Sequence, residues 1–388
     1  MFFMIERKYR PDILNVLRVV ATMFVFLLHG RSRVPGISVT EFPLVFLTCT
    51  PAWAGVWIFL FISAYLMGMG FAKGKYKLTN EKGKLSIKAV LIFYLKRYIR
   101  FAPVYYIYCF AFEILKGTPF MFKNPETMFR LLTFRFDGSG GISGIGHLWY
   151  MSLAMQIYMI IPIVYLLTSL VKKNTILNVL FFAFLGFGLF YRIALYNDNA
   201  DWYYEVYTYL WTNLDFVVCG VILAIISCNA KQKNEIRESS VWWGVFANLQ
   251  FVALVVYNCY IYNSGMKQDY VIYRYLLPSL YILSCAVLII KYHNPHGIER
   301  KAPGRFNVLK FFDWFAPYTF AFYILHIVVF NYFTNTFGKT NTFLNIPLLG
   351  KYIVFFGFCF VVTLVGAWML SCADKEITKR IEKALHLR

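Results

Sequence analysis

The sequence predicts an all-α, polytopic membrane helix bundle of about ten transmembrane helices, forming one domain over residues 1–388. Three observations predict it. Hydrophobic residues make up 59% of the chain and aromatic residues 20%, whereas charged residues reach only 15%, below the roughly 25% of a typical soluble domain. The apolar residues gather into ten stretches near bilayer length: 13–30, 52–71, 99–116, 148–170, 175–195, 208–228, 241–262, 270–290, 312–334 and 345–371. The connecting segments carry an asymmetric load of Lys and Arg. With both termini inside, 26 of the 39 lie on the inner face and 11 on the outer. That is the positive-inside pattern, and it predicts an N-in, C-in orientation.

The first span follows Arg7, Lys8 and Arg10, is long, and lacks a small-residue cleavage site, so it reads as an anchored helix rather than a signal peptide. It contains Arg18 and His29. Eleven residues at 100° each return to nearly the same helix face, roughly 16 Å further along. Polar groups at such depths are costly unless they meet a partner or an aqueous cavity. The plainer reading has Arg18 snorkelling to the inner surface and His29 ending the helix.

The second span leads into a basic inner loop, 72–97, with Lys73, Lys75, Lys77, Lys82, Lys84 and Lys88. Positive-inside anchoring accounts for these lysines. Arg97 and Arg100, at the head of the third span, lie three apart on one face. Two guanidiniums so placed suit bidentate recognition of phosphate. The outer loop 117–147 ends in a glycine-rich run, Asp137 to Gly146, before His147. It lacks the Gly-Lys-Ser/Thr ending of a phosphate loop. It reads as a mobile segment admitting a bulky substrate, or as a plain connector.

Span six places Asp215 in its outer half, with Arg274 of span eight as a plausible partner. His293 and His296, beside Pro295 and Gly297, read as solvated at the inner surface. Span nine carries Tyr323 and His326. His29, His147 and His326 therefore map to a similar depth. Imidazole suits zinc, but depth alone gives no ligand geometry, and no metal is expected. The eight cysteines contain no Cys-x-x-Cys pair and read as small apolar residues. The net charge of +20 raises nucleic acid as a partner. Its concentration beside the spans favours membrane lipids instead, and no nucleic acid is expected.

These features occur in a familiar order. Arg18 to His29 has the form Arg-x10-His, and Gly55 to Leu66 is a Phe-rich segment around Ser63. Arg97-Tyr-Ile-Arg100 precedes Pro103, and His147-Leu-Trp149 leads to Gln156, Tyr158 and Pro162. Tyr323-Ile-Leu-His326 comes late, and Leu214-Asp215-Phe216 with Gly220 fits a further pattern. From residue 12 to about 370, the chain resembles membrane acyltransferase family 3, integral-membrane proteins that move acyl groups, often acetyl, onto cell-surface sugars. It departs from the family at Ala64, usually glycine, and at Trp57, often Asp. Ala154 and Met155 stand where one branch has two glutamates, so no carboxylate is carried over to span four.

The resemblance implies an O-acetyltransferase in the bacterial cytoplasmic membrane, a multi-pass protein. It would take acetyl-CoA as co-substrate and acylate a hydroxyl of a surface polysaccharide, glycolipid or lipid-linked sugar. Arg97 and Arg100 would hold the donor's phosphates. His29 would serve as general base, a task suited to imidazole, and Arg18 would orient the donor or neutralise developing charge. His147, Trp149, Tyr323 and His326 would bind the acceptor or steady the oxyanion. A secondary transporter or glycan exporter is the competing class. It should show paired broken helices in two halves, which the sequence does not display. Oligomeric state stays open.

Overall fold

The computed structural model describes residues 12–36, 52–79, 84–116, 123–138, 145–198, 201–230, 241–263, 271–293 and 309–385. Ten long helices organise them: α1 (Ile13–Arg31), α2 (Ala52–Ala72), α3 (Ile87–Lys116), α4 (Trp149–Ser169), α5 (Asn174–Asn197), α6 (Leu214–Asn229), α7 (Val241–Asn263), α8 (Val271–Tyr292), α9 (Thr319–Thr336) and α10 (Leu348–Ala384). Asp12 caps α1, its carboxylate accepting from the Leu14 N–H at 3.0 Å. The glycine-rich run at 139–144 lies outside the described residues.

Three boundaries depart from the expected spans. The third helix starts at Ile87, where Ser86 Oγ accepts from the Ala89 N–H at 3.3 Å, so it begins well before the apolar run at 99. The last continues to Ala384 rather than 371, its charged extension carrying an Arg380–Glu376 pair one turn apart at 2.8 Å. Span nine is interrupted. A short helix, Lys310–Phe315, and a 3-10 turn, Ala316–Tyr318, precede α9. Pro317, which has no N–H to donate, marks the break.

Nine helices among the described residues are long and apolar enough to cross a bilayer, and α3 is not one of them. It has 30 residues but carries Lys88, Lys96, Arg97, Arg100, Glu113 and Lys116. The packing nevertheless requires it to cross. Asn15 Nδ2 donates to Asp313 Oδ1 at 2.7 Å, His29 meets His326 at 2.7 Å, and Arg33 Nε donates to Asn331 Oδ1 at 3.3 Å. Residue numbers rise together along α1 and along the segment leading through α9, so the two run parallel. Direction reverses at every crossing. First and ninth crossings share a direction, whereas omitting α3 would make α9 the eighth and antiparallel.

The centre of the bundle is the α2–α6 pair. Trp57, Phe61 and Tyr65 of α2 are almost fully buried. Gly220 of α6 lets the backbones close up, since a Cβ there would fall 2.7 Å from the Ala64 Cβ and 2.9 Å from the Phe61 carbonyl oxygen. Ala64 is thus matched by a glycine across the interface. The rim is inverted relative to a soluble protein. On α7, Phe246, Leu249, Val252, Val256 and Tyr260 are all exposed, at helical spacing. So broad an apolar surface belongs against lipid, and the protein is a multi-pass membrane helix bundle. No disulfide joins the seven described cysteines.

Candidate functional site

Three helices bring the three histidines together. His29 comes from the last turn of α1, His147 from a 3-10 turn (Gly146–Leu148) ahead of α4, and His326 from the middle of α9. The rings of His29 and His326 meet edge to edge with nearly parallel planes, 12° apart, and centroids 5.0 Å apart. His147 stands edge-on to His326, with centroids 5.3 Å apart.

Hydrogen-bond direction fixes the tautomers. His326 Nδ1 lies 2.5 Å from the Tyr323 carbonyl oxygen. A carbonyl only accepts, so Nδ1 carries the proton and Nε2 of the neutral ring is an acceptor. His29 Nδ1, at 2.7 Å from that Nε2, therefore donates. This leaves the His29 Nε2 lone pair as the basic end of the relay. His147 is fixed in the opposite sense. Its Nε2 donates to the Ile324 carbonyl at 3.0 Å, and its Nδ1 is buried without a hydrogen-bond partner among the described residues. Tyr323 closes the arrangement, its hydroxyl donating to the His147 carbonyl oxygen. Trp149 is buried behind them against Tyr207, with ring centroids 4.9 Å apart.

Arg18 lies at the other end of α1, half-buried. Its guanidinium is within electrostatic reach of Tyr158, Asp12, Arg100 and Tyr150. Among the described residues it makes no hydrogen bond or ion pair. Tyr158 also lies within reach of Arg97, and Ser63 of α2 sits beside both Tyr150 and Tyr158. The Tyr150 ring in turn meets Tyr323 at 5.4 Å. A column of polar side chains thus runs from the arginines, through Tyr158, Ser63 and Tyr150, to the histidines.

Arg97 and Arg100 are nearer to each other in sequence than in environment. Arg97 donates to the Tyr76 hydroxyl at 2.7 Å and packs over the Tyr76 ring at 4.8 Å. Its Nε is buried with no partner among the described residues. Arg100 is exposed and within electrostatic reach of Asp374. Arg97 thus meets Tyr76 and reaches Tyr158, while Arg100 lies within reach of Asp374 and Arg18, so both stand near the Arg18 end of the column.

The partner of Asp215 is Arg192, not Arg274. The Arg192–Asp215 pair is bidentate, at 2.8 and 3.2 Å, and both residues are at most 2% exposed. Arg192 also donates to Ser279 Oγ at 2.7 Å, to the Thr212 carbonyl at 2.7 Å and to the Tyr275 carbonyl at 3.2 Å, so all five of its N–H groups are used. Gly188 leaves room for the carboxylate. Arg274 instead stacks over Trp53 at 5.0 Å. His293 is not solvated. Its side chain is 10% exposed and stands 3.5 Å from Asp12. His296 lies outside the described residues.

Several contributors escape sequence reasoning. Arg33, which looks like an interfacial anchor, donates to the His29 carbonyl at 2.7 Å and to Asn331, tying α1 to α9 beside the histidines. Tyr150 carries no signal among so many aromatic residues, and Tyr158 enters the sequence reading only as a motif residue without an assigned role. Trp57, Ala154 and Met155 pack into the apolar interior, and α4 contains no carboxylate. Among the described residues, no group of three or more His, Cys, Asp or Glu side chains is placed to hold a metal ion.

A family model described as an acyltransferase domain matches residues 12–372. No curated protein and no solved structure matches the chain.

Proposed function

The chain belongs to membrane acyltransferase family 3, and from that premise we propose that it transfers an acetyl group from cytoplasmic acetyl-CoA to a hydroxyl of an extracytoplasmic surface polysaccharide or glycolipid. The observation that carries the reading is the His29–His326–Tyr323 relay, which orients one imidazole and leaves its Nε2 available as a base. The charge distribution supports an orientation with the arginines at the cytoplasmic end and the histidines at the far end.

In this reading Arg97 and Arg100 bind the donor's phosphates, aided by the basic segment before α3. The buried Nε of Arg97 has no hydrogen-bond partner among the described residues and so keeps the donor capacity that a phosphate or carbonyl ligand requires. The Arg18 guanidinium stands among Tyr158, Asp12 and Arg100 at the same end. The acyl group is delivered along the polar column towards His29. His29 Nε2 removes the acceptor's hydroxyl proton as the oxygen attacks the thioester carbonyl carbon. Collapse breaks the C–S bond, and the departing thiolate takes the proton back from His29. His326 holds the His29 ring in place and stabilises the imidazolium formed midway. His147, Trp149 and Tyr323 border the acceptor.

Acetyl transfer in purified membranes, with labelled acetyl-CoA and extracted surface glycans, tests the reading. His29→Ala is expected to lower kcat by about 10²–10⁴-fold. The Arg97→Ala and Arg100→Ala pair is expected chiefly to raise KM for acetyl-CoA. Full activity in His29→Ala would remove the assigned base. Flux of a glycan without thioester consumption would favour the exporter.

A further inference from the structure

Beside the histidines, α3, α9 and α10 enclose a crevice of about 330 Å³, within the range of small-molecule sites. Its walls are largely apolar, including Ile107, Ala111, Val328 and Leu370, with two amides, Asn331 and Asn335, one turn apart on α9. It opens on the lipid-facing surface, where Ile107 is 41% and Tyr332 57% exposed. One of its lining residues touches the histidine cluster, and a second is joined to it through Arg33. The Tyr108 ring stands edge-on to His147 at 5.9 Å. Asn331 accepts from Arg33, which itself donates to the His29 carbonyl.

Depth selects the occupant. Because α1 and α9 run parallel, Asn331 is level with Arg33, and Asn335 lies further from Arg18. The two amides therefore lie at and beyond the level of the histidines, away from Arg18, whereas Leu370, one turn before Asp374, marks the other end of the crevice, towards Arg100. A donor held by Arg18, Arg97 and Arg100 approaches from the end opposite to the amides. We infer that the crevice binds the alkyl or isoprenyl chain of a lipid-anchored acceptor, entering sideways from the bilayer, with Asn331 and Asn335 hydrogen-bonding its polar head. This rests on the acyl-transfer reading and narrows its acceptor to a membrane-anchored hydroxyl compound.

The test uses the full chain in nanodiscs and a dodecyl glucoside carrying a diazirine in its alkyl chain. Photolysis and peptide mapping should place the label on 107–112 and 325–335. Ala111→Trp, and independently Ile107→Trp, should cut that labelling roughly ten-fold, with folding monitored by size exclusion. Leu249→Trp, on the lipid face of α7, should leave it unchanged. Label spread evenly over α5, α7 and α10 would mean a groove for ordinary bilayer lipid and overturn the inference. Displacement by dodecanoyl-CoA would make the crevice a donor-chain site and also overturn it. Acetyl transfer measured on the same sample separates the two readings. Efficient transfer without crevice labelling removes only the crevice. Crevice labelling without any transfer removes the enzymatic reading and, with it, the assignment of the bound chain to an acceptor.

Discussion

Arg192 and Asp215 illustrate what a charge does inside this bundle when it is not part of the polar column. Every donor of the guanidinium is used, so the pair has nothing left for a ligand. Removing one partner strands a buried charge, at a cost of about 3–5 kcal/mol. Asp215→Leu is therefore expected to lower the thermal stability of the purified protein sharply, and the double variant Arg192→Leu/Asp215→Leu to recover much of it. Melting curves in detergent check this. Recovery absent from the double variant would mean the pair is needed for more than its mutual charge. The contrast is His29, held by one hydrogen bond to His326 with its second nitrogen left as an acceptor. His326→Gln is expected to lower kcat less than His29→Ala, because it loosens the base without deleting it. Equal losses would promote His326 to a direct chemical role.

At the level of helices, α2 and α6 approach closely at the centre of the bundle, and α2 also carries Ser63 of the polar column. Gly220→Ala places a methyl 2.7 Å from the Ala64 Cβ. Overpacking of this kind costs about 1–3 kcal/mol. Ala64→Gly in the same chain is expected to restore part of the loss, while the Phe61 carbonyl at 2.9 Å still resists the new methyl. Thermal stability of the two single variants and the double variant measures the coupling. Strict additivity would mean that the two residues do not share the contact. The parallel seam of α1 and α9 is a second such element, pinned by Asp313 at one end and by Asn331 and Thr334 at the other.

For the whole molecule, that parallel seam makes a topological prediction. Single cysteines at Lys88 and Ile114, in a cysteine-free background, should react with an impermeant maleimide from opposite faces of the membrane. Reaction from one face would exclude α3 as a crossing. Cysteines at Ser32 and Asn335 should react from one common face, opposite to the face that reaches Lys88. The predicted orientation makes the common face extracytoplasmic.

The helical membrane class, the positions of most spans, and the alignment of Arg18 with His29 follow from the order of residues alone, because hydrophobic length and helical period are local properties of the chain. So does the family, whose motifs are short and ordered. The convergence of His29, His147 and His326 depends on contacts between residues far apart in the chain, His326 meeting both His29 and His147, which no local period encodes. The same holds for the choice of Arg192 over Arg274, since two cations at similar depth look alike until helix neighbours are known. The different partners of Arg97 and Arg100 arise because Tyr76, on a preceding segment, accepts from one guanidinium, while the other lies within reach of Asp374. Sequence thus settled what could lie within a bilayer and at what depth. Tertiary packing decided which of those groups face one another, because that choice is made sideways, between helices.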